Sequence, residues 1–294
     1  MARAHSPLRY PGGKSSLYEL ASSLLRLNGL QRGHYAEPYA GGASLALSLL
    51  FNGQVSDIHL NDVDRGIWSF WKSVLEETDA LCELIENTEI SVEEWHRQKA
   101  IYRSVGPVET LSLGFATFFL NRTNRSGIIG TGGIIGGLKQ TGNYKIDCRF
   151  NKSELIRRIR RIRKYRSRIH LSQEDALVFL SNMDRSLPRK SFIALDPPYY
   201  QKGASLYTSF YGADDHAEVA RAILSIDRPW VLTYDDAQEV RQLYRCRRQY
   251  LFDIRYSVQT KRTGTELLIA SKGLKVPEEI KGNQVHRPQY RKAA

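Results

Sequence analysis

Little in this chain suits a secreted or membrane-bound protein. Its three cysteines, Cys82, Cys148 and Cys246, are scattered without metal-like spacing. That argues against a zinc site or a disulfide framework and for a reducing compartment, so a cytoplasmic location is expected. The longest apolar-looking run, Leu111 to Leu120, is far too short to cross a bilayer. Met1 to Lys14 is polar and lacks a signal-peptide core. Acids are scarce: 31 Asp and Glu stand against 43 Lys and Arg, a formal charge of +12. Such an excess favours a polyanionic partner, nucleic acid ahead of an anionic membrane. What remains is ordinary for a globular protein: 294 residues, 41% of them hydrophobic. The chain can bury a large core, as one big domain or as a domain with an insertion.

Two familiar nucleotide signatures are also missing. Leu8-Arg9-Tyr10-Pro11-Gly12-Gly13-Lys14-Ser15 ends like a P-loop, but Leu8 stands where that motif needs glycine and no strand precedes it. Gly12 and Gly13 still permit close backbone approach to a ligand, and Lys14 can meet an anion. The bland alternative is a glycine turn ahead of a helix near Ser15. Nor does the chain carry Gly-x-Gly-x-x-Gly.

What is present centres on Phe192-Ile193-Ala194-Leu195-Asp196-Pro197-Pro198-Tyr199. Four apolar residues predict a buried strand, which two prolines end because neither donates to a sheet ladder. Asp196 is thereby delivered to the carboxyl edge of the sheet, where open α/β folds bind ligands. An acceptor, rigid carbonyls and an aromatic face at one spot suit a flat ring carrying an amino group. The same residues also make a plain strand-ending turn.

Earlier in the chain, Tyr35-Ala36-Glu37-Pro38-Tyr39-Ala40-Gly41-Gly42-Ala43-Ser44 precedes an apolar helix from Leu45 to Phe51. Strand, glycine turn and helix form the first unit of a nucleotide-binding sheet, with the helix amino terminus aimed at the ligand. A second strand, Val55 to Asn61, leads to Asp62, placed to accept from ribose hydroxyls or simply to cap the next helix, Asp64 to Leu75. Residues 66–164 then interrupt the strand–helix rhythm. Trp68, Phe70, Trp71, Trp95, Phe115, Phe118 and Phe119 fall at helix-like spacing and predict a small helical core.

After these helices Asn121-Arg122-Thr123-Asn124-Arg125-Ser126 opens a loop with seven glycines between Gly127 and Gly142. So much glycine carries a heavy ordering cost unless a partner supplies contacts. From Lys152 to Arg168 nine basic residues face one acid, a net +8, two thirds of the whole excess. With Ile156, Ile159 and Ile162 buried, Arg157, Arg160 and Arg161 lie on an outer face suited to phosphate, or merely to solvent. The α/β rhythm resumes with a strand at Ile169 to Ser172 followed by Asp175, a helix from Asp214 to Ile226 and a strand from Trp230 to Tyr234. Arg248 to Gln259 and Glu266 to Ala270 read as an antiparallel pair around a Lys261-Arg262-Thr263-Gly264 turn. The tail from Lys275 is expected to be loosely held.

Four pieces, Tyr10-to-Lys14, Glu37-to-Ser44, Asn61-Asp62 and Asp196-to-Tyr199, occur here in an order and spacing that resemble adenine-specific DNA methyltransferases of the DNA adenine methylase type. The likeness covers residues 5–65, parts of 109–130 and 165–270. It implies a Rossmann-like, mostly parallel seven-stranded α/β sheet with one antiparallel strand. Residues 1–65 and 165–294 would form the catalytic domain and 66–164 an inserted, mainly helical target-recognition domain. S-adenosylmethionine is the implied methyl donor. Tyr10 and Lys14 would lie beside it, and Glu37, Tyr39, Gly41, Gly42 and Ser44 would wrap its methionine end. Asp62 would take the ribose and Asp175 the donor's adenine amino group.

Asp196, Pro197, Pro198 and Tyr199 would handle an adenine extruded from duplex DNA, and no metal is needed. Double-stranded DNA is the implied partner, read through Arg122, Asn124, Arg125 and the arginine helix. A cognate restriction endonuclease acting separately is compatible with the likeness. Two departures stand out: Ala43 replaces a last glycine in the donor turn, and Arg125 replaces an aromatic that pushes into the base stack.

Overall fold

Four short apolar runs become adjacent parallel strands, each passing a polar side chain to its carboxyl end. The computed structural model describes residues 5–9, 17–200, 211–256, 262–280 and 283–285. The four strands are β1 (His34–Glu37), β2 (Asp57–Asn61), β3 (Ile169–Ser172) and β4 (Ser191–Leu195). They are joined by β5 (Trp230–Asp235), β6 (Arg248–Tyr256) and β7 (Arg262–Ala270) in the order β3-β2-β1-β4-β5-β7-β6. β7 runs antiparallel to both of its neighbours, while β1 through β5 pair in parallel. This is the mostly parallel, Rossmann-like sheet with one reversed strand that the resemblance implied. Every residue of β4 is buried, because helices cover both faces of a parallel sheet.

Alternation sorts the side chains. Tyr35, Ile58, Leu60, Phe192, Ala194 and Val231 face one layer, and Ala36, Ile193, Leu195, Trp230 and Leu232 the other. The first layer holds α1 (Tyr18–Leu27) and the apolar α2 (Ser44–Phe51). The second holds α8 (Ala176–Ser186), α9 (Ala213–Leu224) and α10 (Gln238–Leu243). The chain leaves β1 toward β2 and leaves β4 toward β5, so the strand order switches between β1 and β4. Ligands bind at such a point.

Residues 66–164 fold as α3 (Arg65–Glu76), α4 (Thr78–Asn87), α5 (Val92–Arg103), α6 (Thr110–Thr123) and, after a long loop, α7 (Lys152–Arg163). The small helical core expected of the aromatics in this stretch is continuous with the core of the sheet. Phe70, Trp71, Phe118, Phe119 and Ile159 belong to the same buried cluster as Tyr35, Ile58 and Phe192, because α3 follows β2 directly and must cover the sheet. Phe70 and Phe118 stack with ring centroids 5.6 Å apart. Gly114 lets α6 approach α3: a Cβ there would sit 2.7 Å from the Ser69 carbonyl oxygen.

Side-chain amides from within the chain brace the glycine loop. Asn121 Nδ2 donates to the carbonyls of Arg9 and Gly127. Gln140 donates to Ile135 and Gly137 and accepts from the Ile146 amide. Where the expected loose tail begins, Asn28, just past α1, bonds both the N–H and the carbonyl of Lys275 at 2.8 Å, while residues 281–282 and 286–294 lie outside the described residues. A short hairpin, β8 (Glu279–Ile280) with β9 (Asn283–Gln284), follows. Arg262, Thr263 and Gly264, expected in a turn, instead begin β7 and pair with Tyr256, Arg255 and Ile254, because the two strands run longer than their apolar parts; residues 257–261 lie outside the described residues.

Candidate active site

The carboxyl edge of β1 to β4 gathers four acids: Glu37 ends β1, Asp62 follows β2, Asp175 lies just past β3 and Asp196 follows β4. Glu37 is only 1% exposed and accepts the Tyr35 hydroxyl at 2.8 Å. Burial, reinforced by that carboxylate, pushes the Tyr35 hydroxyl's pKa well up, so it stays a donor. Asn61 is fully buried and knits three strand ends together. Its amide donates to the Pro38 and Glu174 carbonyls and its oxygen accepts from the Ser172 hydroxyl and the Glu174 amide.

Within this frame the Tyr39-to-Ser44 turn is tight. Gly41 has φ of +47° and Ala43 has φ of +46°, both in the left-handed region. Asp62 Oδ2 accepts the Gly41 N–H at 2.8 Å and Asp62 Oδ1 accepts the Asp64 N–H at 3.0 Å. The Trp71 indole donates to the Gly41 carbonyl at 2.8 Å, so α3 pins the turn from behind. Gly42 is buried, Ser44 opens α2, and the Tyr39 hydroxyl accepts from Tyr211 at 3.3 Å. Asp175 is exposed and caps α8 through the Leu177 amide. Tyr10 and Lys14 lie outside the described residues; immediately before them, Arg9 is clamped through both backbone groups by Asn121.

Asp196 sits at the switch point, partly exposed, and its Oδ1 accepts the Thr233 hydroxyl at 2.9 Å. Pro197 is buried, Pro198 partly so, and Tyr199 is 9% exposed. The Tyr199 hydroxyl donates to Glu266 at 2.6 Å, and the Tyr200 N–H donates to Asp235 at 2.9 Å. Thr233, Asp235 and Glu266 escaped the sequence reading. A visible signal did exist: Glu266 is a lone acid at the head of Leu267-Leu268-Ile269-Ala270, a place where a buried charge needs a reason.

The residues expected to meet DNA divide sharply. Arg125 is exposed. Arg122 instead turns inward, donating to the Arg149 and Pro7 carbonyls, and burial beside Arg9, Arg158 and Arg149 lowers its pKa to about 9. Asn124 is 1% exposed and fully engaged: its amide donates to Ile128 and Ile129 and its oxygen accepts the Trp95 indole. It holds the loop and has no group left to read a base.

On α7, Arg157 makes a two-pronged pair with Glu154, and the Arg161 guanidinium lies 4.3 Å from the Phe51 ring centroid. Arg160 is exposed. All three border an open groove of about 1110 Å³ whose other wall, from α4, carries Asp79, Glu83 and Glu86. That face therefore mixes both signs, where a purely basic outer face was expected.

A family model described as D12 class N6 adenine-specific DNA methyltransferase matches residues 10–263. No curated protein matches. Among solved structures, a putative RNA methyltransferase from Pyrococcus horikoshii is similar at 10% identity and TM-score 0.39, covering 90% of this chain and 85% of that one. TrmN from Thermus thermophilus gives 10% identity and TM-score 0.36, covering 88% and 52%. A conserved hypothetical protein from Streptococcus pyogenes gives 10% and 0.32, covering 86% and 96%. Likeness this distant carries no argument about substrate, whereas the family match spans most of the sequence and includes the Asp62 and Asp196 edge. The chain belongs to the D12 class N6 adenine-specific DNA methyltransferase family.

Proposed function

We propose that the protein is a site-specific DNA methyltransferase that places a methyl group on the N6 amine of an adenine extruded from duplex DNA. The observation that carries this reading is Asp196, held by Thr233 at the switch point and followed directly by Pro197, Pro198 and Tyr199.

The donor the family implies is S-adenosylmethionine, and the residues fit it. A sulfonium, an amine and a ribose diol call for acceptors, and the edge offers Glu37, Asp62, Asp175 and Asp196 beside the amino terminus of α2. When bound, the donor supplies an electrophilic methyl group. Glu37 and the Gly41–Ser44 turn would hold its amino-acid end and Asp62 its ribose, with the turn already set by the bond from Gly41 to Asp62.

Everything else falls to the acceptor side. Adenine's amine is a poor nucleophile because its lone pair is spread into the ring, and the base must leave the stack to be reached. Asp196 Oδ and the Pro197 carbonyl accept the two amino hydrogens and localise the lone pair toward the methyl group. Tyr199 offers a face for the extruded ring, a contact worth about 1–3 kcal/mol per base. After transfer the amine nitrogen carries a positive charge, and the proton it sheds is accepted by Asp196 or water. Asp196 polarises the amine and does not deprotonate it beforehand, since the neutral amine is very weakly acidic. Much of the acceleration comes from positioning.

Expression in methylation-free bacteria, followed by single-molecule mapping of modified bases, tests the reading. N6-methyladenine at a defined sequence supports it. Methylation confined to cytosine or to RNA would replace it with amino methylation of another substrate.

A further inference from the structure

We propose that Glu266 is a positioning residue for the acceptor base, acting through the hydroxyl of Tyr199. The inference rests on Tyr199 being the face against which the extruded base lies.

The geometry is specific. Glu266 lies on β7, is 3% exposed, and sits directly opposite Asp235 in the β5–β7 register. Asp235 is 6% exposed and accepts the Tyr200 N–H. Two residues back on β5, and therefore on the same face, Thr233 holds Asp196. One polar strip across two strands thus grips residues 196, 199 and 200 of a single short loop. Glu266 makes the 2.6 Å bond, accepting from a phenol 67 residues away in sequence.

Burying a carboxylate among Leu267, Leu268 and Ile269 is costly, and an apolar residue would serve the strand better. What Glu266 supplies is a second anchor for the tyrosine ring. The backbone end of Tyr199 is fixed by Pro198 before it and by the Tyr200–Asp235 bond after it. The hydroxyl end is fixed by Glu266. With both ends held, the ring torsions are set before a base arrives, and no ordering cost is left for the stacked complex.

Three variants test this: Tyr199→Phe, Glu266→Leu and Glu266→Gln, whose amide oxygen can still accept the hydroxyl. Single-turnover transfer to a duplex containing the mapped site should slow about tenfold to a hundredfold in Tyr199→Phe and in Glu266→Leu. The double variant should be no slower than the slower single, because both remove the same bond between Tyr199 and Glu266. Glu266→Gln should recover to within about fivefold of wild type, with donor affinity unchanged throughout. With 2-aminopurine at the target, Glu266→Leu should be brighter than wild type, since the extruded base no longer rests on a fixed ring.

Losses that multiply, a Glu266→Gln as slow as Glu266→Leu, or full-rate turnover in Tyr199→Phe would each overturn the proposal. If Glu266→Leu does not fold, the phenylalanine and glutamine variants still decide. If wild type methylates no duplex at all, the functional reading fails and the anchor is judged by 3-fluorotyrosine placed at position 199. Its ¹⁹F resonance should match in wild type and Glu266→Gln and shift in Glu266→Leu; one identical resonance in all three would refute the anchor.

Discussion

Replacing Thr233 with valine removes one hydroxyl and little else. Thr233 is 4% exposed, so the isosteric methyl meets no solvent, and the β5 backbone pairing is untouched. The lost hydrogen bond ran to Asp196 Oδ1 at 2.9 Å; the Leu195 carbonyl, at 3.3 Å, is the poorer acceptor for the same proton. A hydrogen bond to a charged group contributes about 1.5–3 kcal/mol. If that energy serves to aim the carboxylate, the rate constant for transfer should fall about tenfold to a hundredfold. Donor affinity should stay within about twofold, because Asp62 and the Gly41 turn are elsewhere. Single-turnover kinetics with a labelled methyl group and calorimetric titration of the donor separate these effects. A Thr233→Val enzyme that turns over at the wild-type rate, or whose only defect is donor binding, would refute the reasoning.

Four further outcomes are expected. Ala43→Gly should stabilise the fold by about 0.5–1 kcal/mol, since an alanine at φ +46° is strained where glycine is not; a lower melting temperature would contradict this. Arg125→Ala should broaden the mapped target sequence, as an exposed arginine is suited to a two-pronged guanine contact, while Asn124→Ala should lower stability by about 2–3 kcal/mol through its lost bonds. An unchanged consensus would leave Arg125 as a phosphate contact.

The fourth outcome concerns pH. His59 bonds His34 across 3.0 Å and stacks on His170, and burial with those neighbours lowers its pKa to about 4. The unfolded chain takes up that proton below pH 6.5 and the folded one does not, so stability should fall as pH drops from 6.5 toward 4. The full window would cost about 3 kcal/mol, and solvent screening brings this to about 1–2. His59→Gln should flatten the slope only in part, because burial lowers His5 and His216 as well.

The sheet could be read from the sequence because local rules govern it. Apolar runs ended by Asn61-Asp62 or by Asp196-Pro197-Pro198 announce strands and the edge they point to. The reversed edge pair and the helix after Gly41 follow the same logic. Contacts distant in sequence were hidden. Nothing near Tyr199 announces Glu266, and nothing near Gly41 announces the Trp71 indole that pins it. Arg122 and Asn124 misled for a related reason. Polar residues ahead of a glycine loop look like readers of DNA, yet an ordered loop needs buried amides of its own to satisfy its carbonyls. The arginine helix taught the converse: its charge is visible in sequence, but the acids of α4 across the groove are not.

The central claim is that Asp196 takes part in moving a methyl group to adenine N6. Purified enzyme, a trideuteromethyl-labelled donor and unmethylated duplex DNA, digested to nucleosides and analysed by mass spectrometry, address it directly. Wild type should yield labelled N6-methyl-2′-deoxyadenosine. Asp196→Ala should lose at least about a hundredfold of it while still binding the donor. Label on any other base, or substantial label on adenine from a folded Asp196→Ala enzyme, would contradict the account.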